Sequence, residues 1–276
     1  MNKHITTFLF LVFSTFGFVQ AKVVAGAVSA SLGNSGVGIL EVSDGIFNNP
    51  AQLAAYPQKH FGVSNTENQF QVHFADNGTD AFFPASLGYN QIKLPGNLEQ
   101  KNFLLHLAQG YPERKFSYGL GLEYRTWKMK ITETNFVQTV ADLGVFYQPA
   151  EWFSLGGTIS DIALSDTNLA DSMDKSIQSF VGIGIGNVTF ARFRFDVGSA
   201  SNQNSSNMIY RGGLQTLLND WIMTSIGYEN NNILGTKTLT LGAGFAGPQF
   251  GVHYAYQKEA NDVVEARHVV DLSVPF

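Results

Sequence analysis

The 276-residue sequence contains no cysteine and few charged side chains. Without cysteine, the chain can form no disulfide, no lipid-modified N-terminus and no thiolate metal site. Charged residues make up 14% of the chain, whereas soluble domains have about 25%. The net charge of −5 argues against nucleic acid as a partner. After Ala21 no apolar run is long enough for a transmembrane helix, which needs about 20 residues.

Aromatic residues and glycine are abundant instead. The chain has 23 Phe, 10 Tyr and 28 Gly, yet its mean hydropathy is only −0.01. This combination is typical of a transmembrane β-barrel, in which half of the strand residues face lipid and half face water or a plug.

The N-terminus has the pattern of a secretory signal peptide. Lys3 precedes an apolar core from Phe8 to Phe13, and Val19-Gln20-Ala21 places small residues at the two determining positions of a cleavage site. The alternative, a membrane anchor, would require a longer apolar run. We therefore predict a cleaved signal at residues 1–21 and an exported chain.

Period-2 alternation of apolar and small or polar residues predicts β-strands throughout the rest of the chain. In 116–124 the even positions are aromatic or leucine, and the odd positions are Ser, Gly and Glu. In 189–197 apolar residues alternate with two arginines and an aspartate in the same way. The pattern predicts strands near 58–65, 68–76, 81–92, 100–109, 114–128, 135–147, 151–162, 175–186, 188–198, 207–218, 220–229, 237–246, 248–258 and 264–276.

The links between these strands are predicted to alternate between short turns and longer polar loops. That rhythm is typical of an up-and-down antiparallel barrel in a membrane, in which every backbone polar group must be paired internally. We predict an all-β transmembrane barrel over 58–276 with 14 strands, or alternatively 12. An even count places both ends of the barrel on the periplasmic side.

Residues 22–57 do not alternate and are predicted to form an N-terminal plug or hatch. A small, glycine-rich stretch leads to Asn49-Pro50. Asn49 is a favourable N-cap, Pro50 suits the first helical position, and Pro57 ends a helix. The plug is therefore predicted to contain one small helix at 50–56.

The run that ends in Asn49, Pro50, Ala51 and Leu53 resembles the N-terminal signature of the outer-membrane long-chain fatty-acid transporter superfamily. That superfamily includes FadL-like transporters and PorV/PorQ-like proteins, and Gln52 stands where it usually has Gly. The resemblance implies a 14-stranded barrel whose lumen is partly filled by the N-terminal segment. The C-terminal Phe276 resembles the insertion signal of outer-membrane barrels, which implies the barrel-assembly machinery as a partner.

Several polar residues have the strand phase of the inner face, where charges are tolerated because a barrel lumen is polar. They admit two interpretations, a polar path for solute or a hydrogen-bond network between wall and plug. We favour the network because small barrels fill their interiors. These residues are Glu123, Asp142, Arg192, Arg194, Asp196, Arg211, His253, Arg267 and Asp271.

No pattern of catalytic residues is apparent. His73, His106 and His253 have inward phases, but each is alone in its strand, and the sequence has no nucleophile motif. No histidine pair has the spacing of a zinc site. We expect no enzymatic activity, no metal site and no cofactor.

Two functional hypotheses follow from the resemblance. The first is a barrel that admits hydrophobic or amphipathic solutes across the outer membrane of a Gram-negative bacterium, with a hydrophobic ligand and outer-membrane lipid as partners. The alternative is a structural or secretion-associated barrel of the PorV/PorQ-like type that docks proteins, although the sequence identifies no protein partner. A non-specific porin is disfavoured because open aqueous pores usually have about 16–18 strands.

Overall fold

The computed structural model describes residues 25–41, 44–55, 59–77, 83–94, 97–111, 115–129, 134–167, 177–187, 190–200, 208–260 and 265–276. The predicted signal peptide lies outside these residues, and so do the first three residues of the predicted plug. The 58–276 boundary of the barrel stays a prediction, and the first strand begins at Lys59.

Fourteen antiparallel strands form one closed barrel. The prediction of 14 strands is confirmed, and the alternative of 12 is wrong. The strands are β1 (Lys59–Thr66), β2 (Gln69–Asp76), β3 (Ala85–Leu94), β4 (Leu98–Tyr111), β5 (Phe116–Met129), β6 (Thr134–Ala150), β7 (Phe153–Thr167), β8 (Gln178–Asn187), β9 (Ala191–Ala200), β10 (Met208–Leu217), β11 (Ile222–Asn231), β12 (Thr236–Ala246), β13 (Gly251–Glu259) and β14 (Arg267–Pro275).

Each strand pairs with its neighbours in sequence, and β1 pairs with β14 to close the barrel. At this seam His60 lies opposite Pro275, and the backbone N–H of Phe276 donates to the carbonyl of Lys59 over 3.0 Å. We call the end of the barrel where β1 begins and β14 ends the lower mouth, and the other end the upper mouth.

The outer face of the barrel is apolar. Outward-facing side chains such as Leu87, Phe103, Val181 and Leu239 are more than half exposed, whereas the inward neighbours on each strand are mostly buried and polar or small. Aromatic pairs surround the lower mouth, including Phe74 with Phe276 and Trp221 with Phe245. An apolar band with aromatic residues at its edge is the surface expected for contact with lipid.

The alternation of link lengths is weaker than the sequence suggested. The upper links at 168–177, 201–207 and 260–266 are long, but those at 67–68 and 95–97 are within the length range of the lower turns. The links after β5 and β7 are also shorter than predicted, because both strands continue into segments that were assigned to loops. β6, with 17 residues, is the longest described strand.

Strands β6 and β7 are paired with irregular register. The register shifts between Ala141 and Leu143, opposite Asp161 on β7. Asp161 has a φ of 62°, in the left-handed region that few residues other than glycine adopt. The backbone N–H of Asp161 donates to the Asp142 carboxylate over 2.9 Å, which fixes the bulge.

The N-terminal segment contains three short helices, where the sequence predicted one. They are α1 (Ala27–Ser31), α2 (Gly45–Asn48) and a 3₁₀ helix (Pro50–Ala55) that occupies the predicted position. The first two were missed because each is only one turn long and shows no helical periodicity. None of the described helices is long and apolar enough to cross a membrane.

Candidate functional site: the plug and the two cavities

The described N-terminal residues 25–41 and 44–55, called the plug below, pack against the inner face of the barrel. Eight inward glycines of the wall leave room for the plug. A Cβ at Gly156 would lie 1.9 Å from the carbonyl oxygen of Val37, and a Cβ at Gly182 would lie 2.7 Å from the nitrogen of Gly38. The eight glycines are Gly119, Gly144, Gly156, Gly182, Gly184, Gly213, Gly227 and Gly242. They form a track along β5–β12 on which the plug backbone lies.

Helix α1 is held by side chains of the last three strands. The N–H of Ala27 donates to the Asp271 carboxylate over 2.9 Å, and the amide of Gln257 donates to the carbonyl of Ala30 over 2.9 Å. Thr240 accepts from Gly33 and donates to the carbonyl of Ser31. Backbone groups that the short helix leaves unpaired are thus satisfied by the wall.

The turn after α1 docks on two buried carboxylates. The N–H groups of Gly36 and Val37 both donate to one oxygen of Asp196 on β9, over 2.7 and 3.1 Å. The amide of Asn34 donates to Glu229 on β11 over 2.9 Å. Two backbone donors on one carboxylate oxygen form a small anion-binding nest, and here the anion belongs to the wall.

Glu41 is clamped between two arginines of β9. Its carboxylate lies 2.6 Å from Arg194 and 3.2 Å from Arg192, and both guanidinium groups also donate to Gln215. Arg194 is fully buried. The neighbouring arginine charges lower the pKa of Glu41 although burial opposes this.

Asn49, in the Asn49-Pro50-Ala51 element, joins two parts of the plug and also bonds the plug to β6. The side chain of Asn49 accepts from the N–H of Ala51 over 3.0 Å as an N-cap, and its amide donates to the carbonyls of Val37 and Val145. Leu53 is buried in an apolar cluster with Ile46, Ala75 and Ala108, against which Phe47 also packs.

Gln52, which departs from the glycine of the signature, has a structural role. Its amide nitrogen donates to the carbonyl of Gly36 over 2.6 Å, and its oxygen accepts from the N–H of Glu41. The side chain therefore bridges the two halves of the plug, which a glycine could not do.

Asp44 is a buried acid of the plug. Its carboxylate accepts from the N–H of Ser29 over 2.7 Å. Burial, together with the negative charges of Glu41 and Asp271, raises the pKa of Asp44 to about 7. The plug therefore contains one carboxyl group that changes its charge near neutral pH.

The plug lies between two cavities. The lower cavity has a volume of about 450 Å³ and is lined by Glu41, Arg192, His60 and His253, together with residues of the lower turns. The upper cavity, of about 220 Å³, is lined by Phe47 of the plug, by mostly polar residues of β3–β7, and by both apolar and polar residues of β8–β11, including Phe180, Ile209 and Arg211. Access from one mouth to the other therefore depends on the plug.

The predicted inward residues fall into three groups. Arg192, Arg194, Asp196 and Asp271 contact the plug directly, and Asp271 also pairs with His253 over 2.7 Å. Glu123, Asp142 and Arg211 line the upper cavity. Arg267 is half-buried near the upper end of β14, where its backbone lies opposite Gln257.

The partners of these residues were not identified from the sequence. Arg125 lies 2.5 Å from both Glu123 and Asp161, and Glu229 lies 3.2 Å from Arg211. Arg125 and Glu229 have the same inward phase as the predicted residues. Strand phase could therefore have found them, whereas Glu41 lies in irregular backbone and carries no such signal.

His73, one of the three inward histidines of the sequence analysis, has His60 as a neighbour. The Nε2 atoms of His60 on β1 and His73 on β2 are 3.0 Å apart, and Phe47 contacts His73 edge to face. His73 is alone in its strand, as the sequence indicated, and its imidazole neighbour comes from the adjacent strand. In the part of the chain that the structure describes, no group of three or more potential ligands could hold a metal ion.

Comparison with solved structures identifies barrels of the same fold. The monoaromatic hydrocarbon channel CymD shares 13% identity and a TM-score of 0.63, over 95% of this chain and 98% of that one. The Pseudomonas putida toluene transporter TodX shares 9% identity and a TM-score of 0.62, over 91% of this chain and 97% of that one. A Pseudomonas aeruginosa FadL homologue shares 11% and a TM-score of 0.64 over 92% and 98%.

The chain has the FadL-like barrel fold. The expected resemblance is thus supported at the level of structure, at low identity. No family model matches the sequence, and no curated protein does. The names of these two neighbours describe a channel, for CymD, and a transporter, for TodX.

Proposed function

We propose that this chain is an outer-membrane β-barrel of a Gram-negative bacterium that admits hydrophobic or amphipathic solutes. The observation that carries the proposal is a closed, apolar-surfaced barrel whose plug lies between an upper and a lower cavity. The names of the structural neighbours, a hydrocarbon channel and a toluene transporter, support the class of solute. The lower mouth then faces the periplasm.

The polar contacts of the plug explain why such a barrel would not leak. Wall residues from β5 to β14 bond to the plug, and the glycine track leaves little space beside it. Water and ions would have to pass through this packed layer. In planar bilayers we expect small or no steady currents, and large stable currents would contradict the proposal.

A reversible cross-link can test passage through this lumen, because the natural chain has no cysteine. The hydroxyl oxygens of Ser31 in the plug and Ser225 on β11 are 2.7 Å apart. The double variant Ser31→Cys/Ser225→Cys should form a disulfide that fixes α1 to the wall. Each single variant is the matched control.

Uptake of a radiolabelled apolar solute is measured in Gram-negative cells with and without the chain. We expect expression to increase uptake, oxidation of the double variant to remove most of the increase, and a reductant to restore it. The single variants should not respond to oxidation. Equal uptake with and without expression would contradict the proposed function, and the docking alternative would then remain as a prediction.

A further inference from the structure

The outer face of β3, β4 and β5 changes its chemistry in steps towards the upper mouth. Residues that lie directly opposite each other on these strands form rows, because opposed side chains point to the same side of the wall. In the upward direction the rows are Leu87, Leu105 and Leu122; Tyr89, Phe103 and Tyr124; Gln91, Lys101 and Thr126; and Lys93, Glu99 and Lys128. The wall therefore passes from aliphatic to aromatic and then to basic.

The aromatic row marks the level at which hydrocarbon gives way to lipid headgroups. The ring centroids of Tyr89 and Phe103 are 5.2 Å apart, and Phe103 and Tyr124 are about half exposed. Tyrosine is enriched at this level of a membrane because its ring is apolar and its hydroxyl is polar. Two residues of a tilted strand rise by about 5 Å along the barrel axis. The two rows with lysine therefore begin about 5 and 10 Å beyond the aromatic row, at the level of the headgroups.

A hydrogen-bonded frame fixes Glu99, which is the one acid on the outer face of the described strands β3–β5. The hydroxyl of Tyr89 donates to the side-chain oxygen of Gln91 over 3.3 Å, and the Gln91 amide donates to Oε1 of Glu99 over 2.8 Å. The Nζ of Lys101 lies 3.3 Å from the same oxygen. The Glu99 side chain is only 15% exposed, so the neighbouring side chains leave it little freedom to turn away.

Three lysines surround this carboxylate. Besides Lys101, the exposed residues Lys93 and Lys128 are the direct cross-strand neighbours of Glu99. One carboxylate can compensate one ammonium group, so the set keeps a surplus of two positive charges. We call Lys93, Lys101 and Lys128 around Glu99 the lysine patch.

Lysine and arginine are sorted between the two faces of the barrel. The five described arginines have the inward phase, and they are Arg125, Arg192, Arg194, Arg211 and Arg267. Of the seven described lysines, five lie on the outer face near the upper mouth, namely the three of the lysine patch with Lys237 and Lys258. The long stem of lysine lies along apolar surface while its ammonium group reaches the headgroups. The upper rim therefore suits a leaflet with anionic headgroups.

From this arrangement we infer that the lysine patch binds the phosphate group of a lipid headgroup in the outer leaflet. The acyl chains of this lipid would lie on the aromatic and aliphatic rows below. The surplus of two positive charges matches the charge of a phosphate monoester, which is between −1 and −2 at neutral pH. A zwitterionic headgroup carries its own cation and gains less. The inference rests on the part of the proposed function that places the chain in an outer membrane.

Lipid binding to the purified barrel can test the inference. Diphosphoryl lipid A, monophosphoryl lipid A and phosphatidylcholine are titrated against the barrel in micelles of an uncharged detergent, and bound lipid is counted by native mass spectrometry. A chelator is present so that divalent cations cannot bridge phosphates. The test variant is Lys93→Gln/Lys128→Gln. The matched control Lys59→Gln/Lys115→Gln removes the same charge at the lower mouth.

We expect the wild-type barrel to bind diphosphoryl lipid A most tightly and phosphatidylcholine least tightly. Lys93→Gln/Lys128→Gln should weaken the binding of diphosphoryl lipid A by about 30-fold, the effect of two ammonium groups near a charged headgroup. The control should change it less than about twofold, because Lys59 is paired with Asp76 over 3.5 Å and Lys115 donates to the carbonyl of Pro149.

Equal effects of the two double variants would overturn the inference. So would phosphatidylcholine that binds to the wild-type barrel as tightly as diphosphoryl lipid A. Displacement of the lipid by millimolar inorganic phosphate would identify free phosphate as the occupant and would also overturn it. If the double variant Lys93→Gln/Lys128→Gln does not assemble, each single variant decides, with an expected loss of about fivefold.

Failure of this inference is distinguishable from failure of the proposed function, because the lipid binds to the outer wall and the solute passes through the lumen. If Lys93→Gln/Lys128→Gln binds lipid A as the wild type does while expression still increases solute uptake, only this inference fails. If lipid binding follows the expected pattern but expression does not increase uptake, the proposed solute role fails and the lipid site remains.

Discussion

The plug meets the two sides of the barrel in different ways. Towards β9–β14 it is held by hydrogen bonds and ion pairs to wall side chains such as Asp196, Arg194 and Asp271. Towards β2 and β4 it is held by the apolar cluster of Ile46 and Leu53, beside one hydrogen bond that the Gln71 amide on β2 donates to the carbonyl of Ala25. Directional contacts fix one position, whereas apolar contacts tolerate small shifts. The polar side therefore determines where the plug lies, and the apolar side adds stability without specifying position.

The largest expected effect comes from filling the glycine track. Gly156→Val places side-chain atoms where the carbonyl of Val37 lies, so the plug cannot keep its position on β7. We expect loss of plug protection against proteolysis, or failure of the barrel to assemble. The adjacent Gly157, on the outer face, is the control, and Gly157→Ala should be nearly neutral. If the two variants assemble equally well and protect the plug equally from proteolysis, the glycine track does not determine the position of the plug.

The next largest effect concerns the ion cluster on the polar side. Glu41→Gln leaves Arg192 and Arg194 buried with no carboxylate between them, which should lower the free energy of unfolding by about 3 kcal/mol. Denaturant unfolding in lipid vesicles measures it. Lys59→Met, which breaks a largely exposed pair with Asp76, should cost well under 1 kcal/mol, that is, about the value of a surface ion pair.

The apolar side can be weakened separately. Leu53→Ala removes a buried side chain from the cluster with Ala75 and Ala108 and should cost about 2 kcal/mol. Because no hydrogen bond is broken, we expect the plug to keep its position and the solute specificity to be unchanged. A change of position, detected as loss of the Ser31–Ser225 cross-link in the double cysteine background, would show that both sides determine the position.

The smallest expected effect is a dependence on pH. The pKa of Asp44 is raised to about 7 in the docked plug, so its contribution to stability is complete below the ordinary carboxyl pKa and is lost as pH rises through 7. Protease protection of the plug should therefore be greater at about pH 5 than at about pH 8. Asp44→Asn should flatten this profile, whereas Asp220→Asn in an exposed turn should not. If protease protection of the wild-type plug did not decrease with rising pH, the attribution of this dependence to Asp44 would be contradicted.

The sequence was sufficient to predict the strands of the barrel wall but not the contacts between the wall and the plug. Alternation assigns each strand residue to a face because the period of a strand is two, and all fourteen strands lie where it predicted them. Contacts such as His60 with His73 depend on the register between strands and were missed, because face assignment does not give the register. Glu41 and Asp44 lie in irregular backbone, where no period applies, and Gln52 lies in a 3₁₀ helix of six residues, which is too short to assign its faces from the sequence.

The seam between β1 and β14 has a consequence for assembly. Its pairs join the first strand of the barrel to the last, from His60 with Pro275 onwards, so the barrel cannot close before β14 has been synthesised and brought to β1. Non-local closure of this kind is slow. Until it occurs, the sheet has two open edges and its aromatic outer face is exposed, a state that favours association with other chains.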